Sequence, residues 1–157
     1  MRMRLVIPAV VFALSLGVAP SVGATPPTQA TATYSTLLSP PTLTVIRTAD
    51  GNTTYAVVDS FVWTGGISGT AADTATVTVH SNGLLTSHGV ETCSSCTIGG
   101  RTGSFTAVFT LTGNAAGTQI YTGHFTFISA AGGLAGLHGE GTFPKAMSLS
   151  FSYHFEP

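Results

Sequence analysis

The chain has 157 residues, only 7% of them charged, and a formal net charge of −1 at pH 7. Soluble domains carry about 25% charged residues, so Thr, Ser, Gly and Asn must supply the polar surface here. The absence of a basic patch excludes proteins that bind nucleic acid or an anionic membrane through clustered Lys and Arg.

The N-terminus has the pattern of a secretory signal peptide. A short basic start, Met1 to Arg4, precedes an uncharged apolar run from Leu5 to Ala19. Val22-Gly23-Ala24 then places small residues at a cleavage site. The apolar run is shorter than the roughly 20 residues of a membrane-spanning helix, and Pro8 and Gly17 interrupt it.

Cleavage after Ala24 predicts a secreted, extracytoplasmic chain of single-domain length with no membrane span. Alternative cleavage sites lie after Ala30 and Ala32. We therefore expect a signal peptide over 1–24, a flexible Thr/Pro/Ala-rich N-terminus over 25–33, and one β-domain over 34–157.

Apolar and polar residues alternate through most of the mature chain, which is typical of strands with one exposed face. The alternation is clearest from Leu149 to Phe155 and from Ser104 to Thr112. Strands are predicted near 31–38, 42–48, 53–63, 74–80, 84–92, 103–112, 118–129 and 148–155, with a further short one near 136–143. The Gly-rich stretches 65–73 and 130–136 are interpreted as loops or bends, or as Gly-weakened strand segments.

Turn residues separate these strands. Asp50-Gly51 and Asn82-Gly83 favour tight hairpin turns, and Asn114 to Gly117 predicts a longer hairpin loop. Strands at such regular spacing indicate a β-sandwich or a β-barrel, and periodicity alone does not choose between them.

Cys93 and Cys96 are the only cysteines. In an exported protein they are expected to form a disulfide, stapling the loop between the 84–92 and 103–112 strands. A redox-active pair would need a helix N-terminus to lower a thiol pKa, and a zinc site would need two further ligands. We therefore predict a structural disulfide, no metal site and no cofactor.

Four segments resemble the DUF3224 family, whose function is unknown: Trp63 to Thr70; Gly89-Val90-Glu91 with Gly99 to Phe105; Leu134 to Gly141; and Leu149 to Glu156. The resemblance implies a single closed antiparallel barrel of about eight strands, related in shape to allene oxide cyclase and avidin-like barrels. It implies no activity. The chain departs from the family pattern at His138, where Arg is usual, and at Val108-Phe109, where many members carry Gln-His.

Glu91 and Arg101 belong to the most specific of these blocks. They are expected to form an ion pair at one end of the barrel, because a lone buried charge is costly. Alternatively, Glu91 is a general acid or base, or a polar contact for a ligand.

The preferred functional hypothesis is a non-enzymatic barrel that binds a small apolar ligand in its interior. The alternatives are a structural or surface-interaction protein with a packed barrel, and then an isomerase- or cyclase-like enzyme that uses Glu91 as its catalytic residue. The candidate ligand-binding residues are Trp63, Glu91, Arg101, Phe105, Phe109 and Phe125.

Overall fold

The computed structural model describes residues 26–38 and 40–156, and nine antiparallel β-strands lie within them. The strands are β1 (Thr28–Leu37), β2 (Thr42–Ala49), β3 (Asn52–Gly65), β4 (Ile67–Val79), β5 (Leu84–Ile98), β6 (Arg101–Asn114), β7 (Ile120–Gly132), β8 (Leu137–Lys145) and β9 (Ser148–Phe155). The described residues include no helix long and apolar enough to cross a membrane. The predicted signal peptide, residues 1–24, lies outside the described residues.

The strands form a ring. Each strand from β3 to β8 pairs with the next one in the chain, and β1 pairs with both β9 and β3. The first half of β1 lies along β9, with Thr28 opposite Tyr153, and its second half lies along β3, with Tyr34 opposite Trp63. The all-β, antiparallel, barrel-like fold expected from the sequence is therefore confirmed.

β2 lies outside this ring and pairs with the first half of β3. Seven of its eight residues are exposed, including the apolar Leu43, Val45 and Ile46. The described residues thus form eight strands in the ring and a ninth beside it, where the sequence indicated about eight with a possible further one.

Two segments are strands where the sequence suggested otherwise. Residues 28–33, expected as a flexible N-terminus, pair with β9, because alternate residues such as Ala32 face the core. Most of 65–73 belongs to β4, which begins at Ile67, so this stretch is the Gly-weakened strand segment of the sequence analysis and not the loop or bend. Backbone hydrogen bonds to β3 and β5 hold this segment although its side chains are small, and Ile67 and Ala71 anchor it in the core.

The hairpin turns follow the sequence closely. Asp50 and Gly51 have φ values of 53° and 75°, as a two-residue turn of the predicted kind requires. In the β4–β5 connection Gly83 has a φ of 83°, and its N–H donates to the carbonyl of His80. The predicted longer loop after Asn114 is also present, and the Asn114 side chain accepts the backbone N–H groups of Thr118 and Gln119.

The core lies inside the ring and is mainly aromatic. The rings of Phe105, Phe125 and Phe127 meet edge to face, with centroids 5.2 Å apart for Phe105–Phe127 and 5.1 Å for Phe125–Phe127. Burying each such side chain stabilises the fold by roughly 1.5–3 kcal/mol. This packing fills much of the interior, so a site inside the ring must be small.

Candidate functional site

Three carboxylic acids from adjacent strands lie side by side inside the ring. Asp59 of β3 is opposite Asp73 of β4, and Asp73 is opposite Glu91 of β5. Neighbouring strands are about 4.8 Å apart, so ionised carboxylates in these positions repel one another. We call Asp59, Asp73 and Glu91 the carboxyl row.

The two-residue period of a strand explains why this row faces inward. Asp59 shares a face with Phe61 and Trp63, both of which are buried in the core. Asp73 shares a face with Ala71, and Glu91 shares one with Cys93, which are also buried. Packing of these apolar neighbours therefore holds the acids inside the ring.

Glu91 is the most deeply buried member of the row. It is only 2% exposed, and the indole N–H of Trp63 donates a hydrogen bond of 2.6 Å to its Oε1 atom. Trp63 is itself 1% exposed. This hydrogen bond fixes the orientation of the Glu91 carboxyl in a surrounding that is otherwise largely apolar.

The other two members have unsatisfied atoms. The Oδ1 atoms of Asp59 and Asp73 are buried, and neither has a hydrogen-bond partner within the part of the chain that the structure describes. Buried polar atoms of native proteins are nearly always paired, and an unpaired one costs about 1–3 kcal/mol. The two atoms therefore mark a position where a proton or a donor group would stabilise the protein.

The carboxyl row lines a cavity of about 70 Å³, which we call the carboxyl cavity. Its lining residues are Tyr34, Asp59, Phe61, Trp63, Asp73, Glu91, Phe109, Leu111 and Phe143. Liquid water occupies about 30 Å³ per molecule, so the cavity holds on the order of two water-sized groups. Two larger depressions, of about 500 and 490 Å³, are more open, and exposed as well as buried side chains line them, Phe105 the first and Phe125 the second.

Three aromatic side chains form one wall of the carboxyl cavity. The ring centroid of Tyr34 lies 5.0 Å from that of Phe61 and 5.3 Å from that of Trp63. The latter two rings are 5.5 Å apart and nearly perpendicular. The cavity thus combines acceptor oxygens with aromatic rings.

Burial changes the acid–base behaviour of the row. Burial, together with the charge of Asp59, raises the pKa of Asp73 to about 8. Burial and the neighbouring Asp73, opposed by the Trp63 hydrogen bond, likewise raise the pKa of Glu91 to about 8. Burial also raises the pKa of Asp59. Protons are therefore held in the row near neutral pH and can be exchanged there.

Tyr34 responds to the same surroundings from β1. Burial raises the pKa of its hydroxyl, a backbone hydrogen bond with Met147 lowers it, and the charges of the carboxyl row raise it again. The phenol is therefore neutral at physiological pH and adds no negative charge to that of the three acids.

The structure brings together three of the six predicted ligand-binding residues. Trp63, Glu91 and Phe109 line the carboxyl cavity. Phe105 and Phe125 are buried in the core but do not line it.

The predicted ion pair between Glu91 and Arg101 is wrong. Arg101 is exposed at the far end of the β5–β6 hairpin, where its guanidinium lies 4.0 Å from the ring centroid of Phe155. Glu91 lies seven positions before Ile98, the partner of Arg101, which is roughly 20 Å along an extended strand. The two residues belong to the same family-like sequence block, but they do not belong to the same site.

Sequence reasoning missed Asp59, Asp73 and Tyr34. Asp59 had a usable signal, because it interrupts an otherwise apolar stripe that runs from Tyr55 to Trp63. Asp73 fell at the end of the segment interpreted as a loop, which hid its inward direction.

The predicted disulfide between Cys93 and Cys96 is present, and both cysteines are buried. The expectation that the disulfide staples a loop is wrong, because β5 continues through both cysteines to Ile98. The bond spans an irregularity in the pairing of β5 with β6, where Ser94 and Ser95 have no partners in that register. It closes this bulge, which begins two residues beyond Glu91.

Within residues 26–38 and 40–156, no three His, Cys, Asp or Glu side chains are placed to hold a metal ion together. The carboxyl row thus has the charge that a cation requires without the geometry of a metal site.

Comparison with known families identifies the family of this chain. A sequence profile of DUF3224, a family described as proteins of unknown function, matches residues 30–156. The chain belongs to the DUF3224 family. The match covers every residue of the carboxyl row and all the strands except the first two residues of β1.

A solved DUF3224 structure has the same fold. It is a protein of unknown function from Shewanella oneidensis MR-1, determined at 1.84 Å resolution. The TM-score is 0.67 at 19% sequence identity, over 83% of this chain and 98% of the other. No functionally curated protein matches this DUF3224 chain.

Proposed function

We propose that this DUF3224 protein binds a small ligand in the carboxyl cavity, and that the ligand donates hydrogen bonds to the carboxyl row. The observation that carries the proposal is the pair of buried, unpartnered Oδ1 atoms of Asp59 and Asp73. An N–H or O–H group in the cavity would give these atoms the partners they lack. A barrel packed only for stability gains nothing from leaving them unpaired.

The size and polarity of the carboxyl cavity support a polar ligand, whereas the aromatic residues of the sequence suggested an apolar one. Pockets for drug-sized ligands occupy about 300–1,000 Å³, several times the 70 Å³ of the carboxyl cavity. A large apolar molecule would also leave the Oδ1 atoms of Asp59 and Asp73 without partners. A ligand, or the head group of a ligand, with a few non-hydrogen atoms and at least one donor fits better.

Trp63 provides a direct test, because it is the only tryptophan of the chain and lines the cavity. Its fluorescence is titrated with a panel of small alcohols, amides and amines, together with benzene and cyclohexane as apolar probes. Saturable changes with donor compounds are expected, and Glu91→Gln should weaken them. Glu140→Gln, which alters an exposed glutamate, is the matched control. Silence across the panel, or binding of the apolar probes alone, overturns the proposal.

A proton-transfer enzyme of the isomerase kind is the second candidate. It is favoured by the position of Glu91 beside Asp73, since both groups have a pKa of about 8 and can exchange protons near neutral pH. In that case Glu91→Gln keeps the fold and abolishes turnover of any substrate found in the panel. Binding without turnover leaves the non-enzymatic function.

We also propose that the protein acts outside the cytoplasm. The Cys93–Cys96 disulfide supports this location, because disulfides persist in oxidising compartments, and so does the signal-like sequence of residues 1–24. Cell fractionation of the full chain should find a shortened, oxidised protein outside the cytoplasm. A full-length, reduced protein in the cytoplasmic fraction contradicts the proposal.

A further inference from the structure

We propose that the ligand is a primary amine bound as its ammonium ion, with the positively charged NH₃⁺ group inside the carboxyl cavity. This inference rests on the proposed function and names the ligand class. Three features of the cavity carry it: the charge of its acids, the acceptor atoms that lack partners, and the aromatic wall.

The first feature is an uncompensated set of acids. Asp59, Asp73 and Glu91 line one cavity, and every Lys and Arg of the described residues is exposed. The ion pairs within residues 26–38 and 40–156 join His138 and His154 to Glu156, away from this cavity. A buried carboxylate without a counter-ion is costly, so a cation supplied by the ligand would be bound strongly relative to a neutral molecule.

The second feature is the number of acceptors. The Oδ1 atoms of Asp59 and Asp73 have no described donor, and a carboxylate such as that of Glu91 accepts more than the one hydrogen bond from Trp63. An ammonium group has three N–H donors and no acceptor. It therefore offers one donor to each member of the carboxyl row.

The third feature is independent of the acids. Tyr34, Phe61 and Trp63 line the same cavity, and a cation that lies over the face of such a ring is attracted to it. A neutral alcohol or amide would gain little from these rings. The aromatic wall thus favours a cation over a neutral hydrogen-bond donor.

An inorganic cation fits this cavity less well. Calcium takes six to eight oxygen ligands and magnesium six in near-ideal octahedral geometry. The carboxyl row does not meet the geometry of a metal site, and the lining also includes Phe109, Leu111 and Phe143, whose side chains have no oxygen ligands. The apolar walls instead suit the carbon attached to an ammonium nitrogen.

Binding of an ammonium ion must displace protons from the row. The titratable groups that face the cavity are Tyr34 of β1, Asp59 of β3, Asp73 of β4 and Glu91 of β5, while β6 and β8 contribute only apolar side chains. The ammonium ion needs ionised carboxylates, and the carboxyls hold protons near neutral pH. Amine affinity should therefore increase about tenfold per pH unit for each displaced proton as the pH rises toward 8, and then level off.

Isothermal titration calorimetry of the disulfide-bonded protein with ethylammonium chloride, at pH 6, 7, 8 and 9, tests the inference. Titrations in buffers of different ionisation enthalpy measure the protons released. An alkylammonium remains charged across this range, as the lysine reference pKa of about 10.4 indicates. We expect saturable binding, release of about one proton at pH 7, and affinity that rises with pH.

Ethanol, acetamide, tetramethylammonium and potassium chloride are the control probes. Ethanol has the size of ethylamine without charge, and tetramethylammonium has charge without N–H donors. Weaker binding of all four than of ethylammonium supports the inference. Ethanol or acetamide binding as tightly as ethylammonium overturns it but leaves the proposed function intact, whereas no binding by any donor probe overturns both. Tetramethylammonium or potassium binding as tightly as ethylammonium overturns the primary-amine assignment.

Amide variants separate the site from the fold. Asp73→Asn and Glu91→Gln resemble the protonated acids, so they should fold as the wild type does at pH 6, which circular dichroism checks. Each is expected to weaken ethylammonium binding at pH 8 by at least tenfold. Glu140→Gln is again the matched control. Wild-type affinity in both folded cavity variants overturns the inference.

Discussion

Trp63 and Glu91 meet across an intervening strand, since the hydrogen bond of 2.6 Å from indole Nε1 to carboxyl Oε1 joins β3 to β5 over β4. Both side chains are almost completely buried. The bond holds one end of the carboxyl row in place while leaving acceptor atoms at the other members unpaired. The stability of the fold and the proposed ligand binding therefore depend on the same two side chains, Trp63 and Glu91.

Replacement of Trp63 by Phe should reduce the free energy of unfolding by about 1–3 kcal/mol, because Glu91 loses its donor inside the ring. Urea denaturation at pH 6 measures the loss. In a double-mutant cycle with Glu91→Ala, which removes the acceptor atom, the coupling between the two sites should be at least about 0.5 kcal/mol. Strictly additive effects contradict a direct interaction.

Stability should fall as the pH rises. The folded-state pKa values of Asp73 and Glu91 are about 8, above their unfolded values, so the folded protein holds more protons than the unfolded chain between about pH 4 and pH 8. The stabilisation is complete below about pH 4 and is lost through pH 8, at about 1.4 kcal/mol per pH unit for each retained proton. Thermal unfolding from pH 4 to pH 9 should show a decreasing melting temperature.

Glu91→Gln should flatten this pH profile and make the protein more stable than the wild type at pH 9. The exposed-site variant Glu140→Gln should keep the wild-type slope. A wild-type melting temperature that rises steadily from pH 4 to pH 8 contradicts the protonated row.

Gly69→Ala should destabilise the protein by about 1–3 kcal/mol more than Gly83→Ala. Both glycines have positive φ values, 139° and 83°, but a Cβ at Gly69 meets the Ser95 carbonyl at 2.7 Å and Cys96 Sγ at 2.9 Å, whereas nothing lies within 4 Å at Gly83. Urea denaturation and a thiol assay measure stability and disulfide content. Equal effects of the two substitutions contradict this steric explanation.

The Cys93→Ala/Cys96→Ala double variant should lose about 2 kcal/mol of stability and still fold, because the disulfide closes only a short loop beside an aromatic core. Circular dichroism and urea denaturation measure both properties. Ser94→Ala, an exposed change inside the same bulge, is the control. Complete unfolding of the double variant would show that the bulge has a larger role than the entropy of loop closure.

Local patterns predicted the strands well. Ser104 to Thr112 lies entirely within β6, and Asp50-Gly51 forms the expected turn, since both depend on residues near one another in sequence. The segment from Gly65 to Asp73 was ambiguous because its small residues have weak strand preference. Pairing with β3 and β5 makes this segment a strand, and these partners cannot be read from the residues of the segment itself.

The candidate site was harder to predict than the fold. Glu91 and Trp63 were identified as separate candidates, but their hydrogen bond depends on a register between β3, β4 and β5. Arg101 follows Glu91 by ten positions, and an antiparallel hairpin brings only selected pairs together. Asp73 belongs to the site because it lies opposite Asp59 on β3 and Glu91 on β5. This relation depends on the pairing of three strands, so the local sequence does not show it.

The double pairing of β1 also constrains how the chain folds. The seam between Thr28 and Tyr153 joins nearly the two ends of the described chain, so it forms only after the last strand has been synthesised. Contacts of such long sequence separation slow folding, because loop-closure entropy is lost before they form. A nascent chain that ends before β9 therefore leaves β1 and β8 with open edges, and such edges are templates for aggregation until the final eight-residue strand arrives.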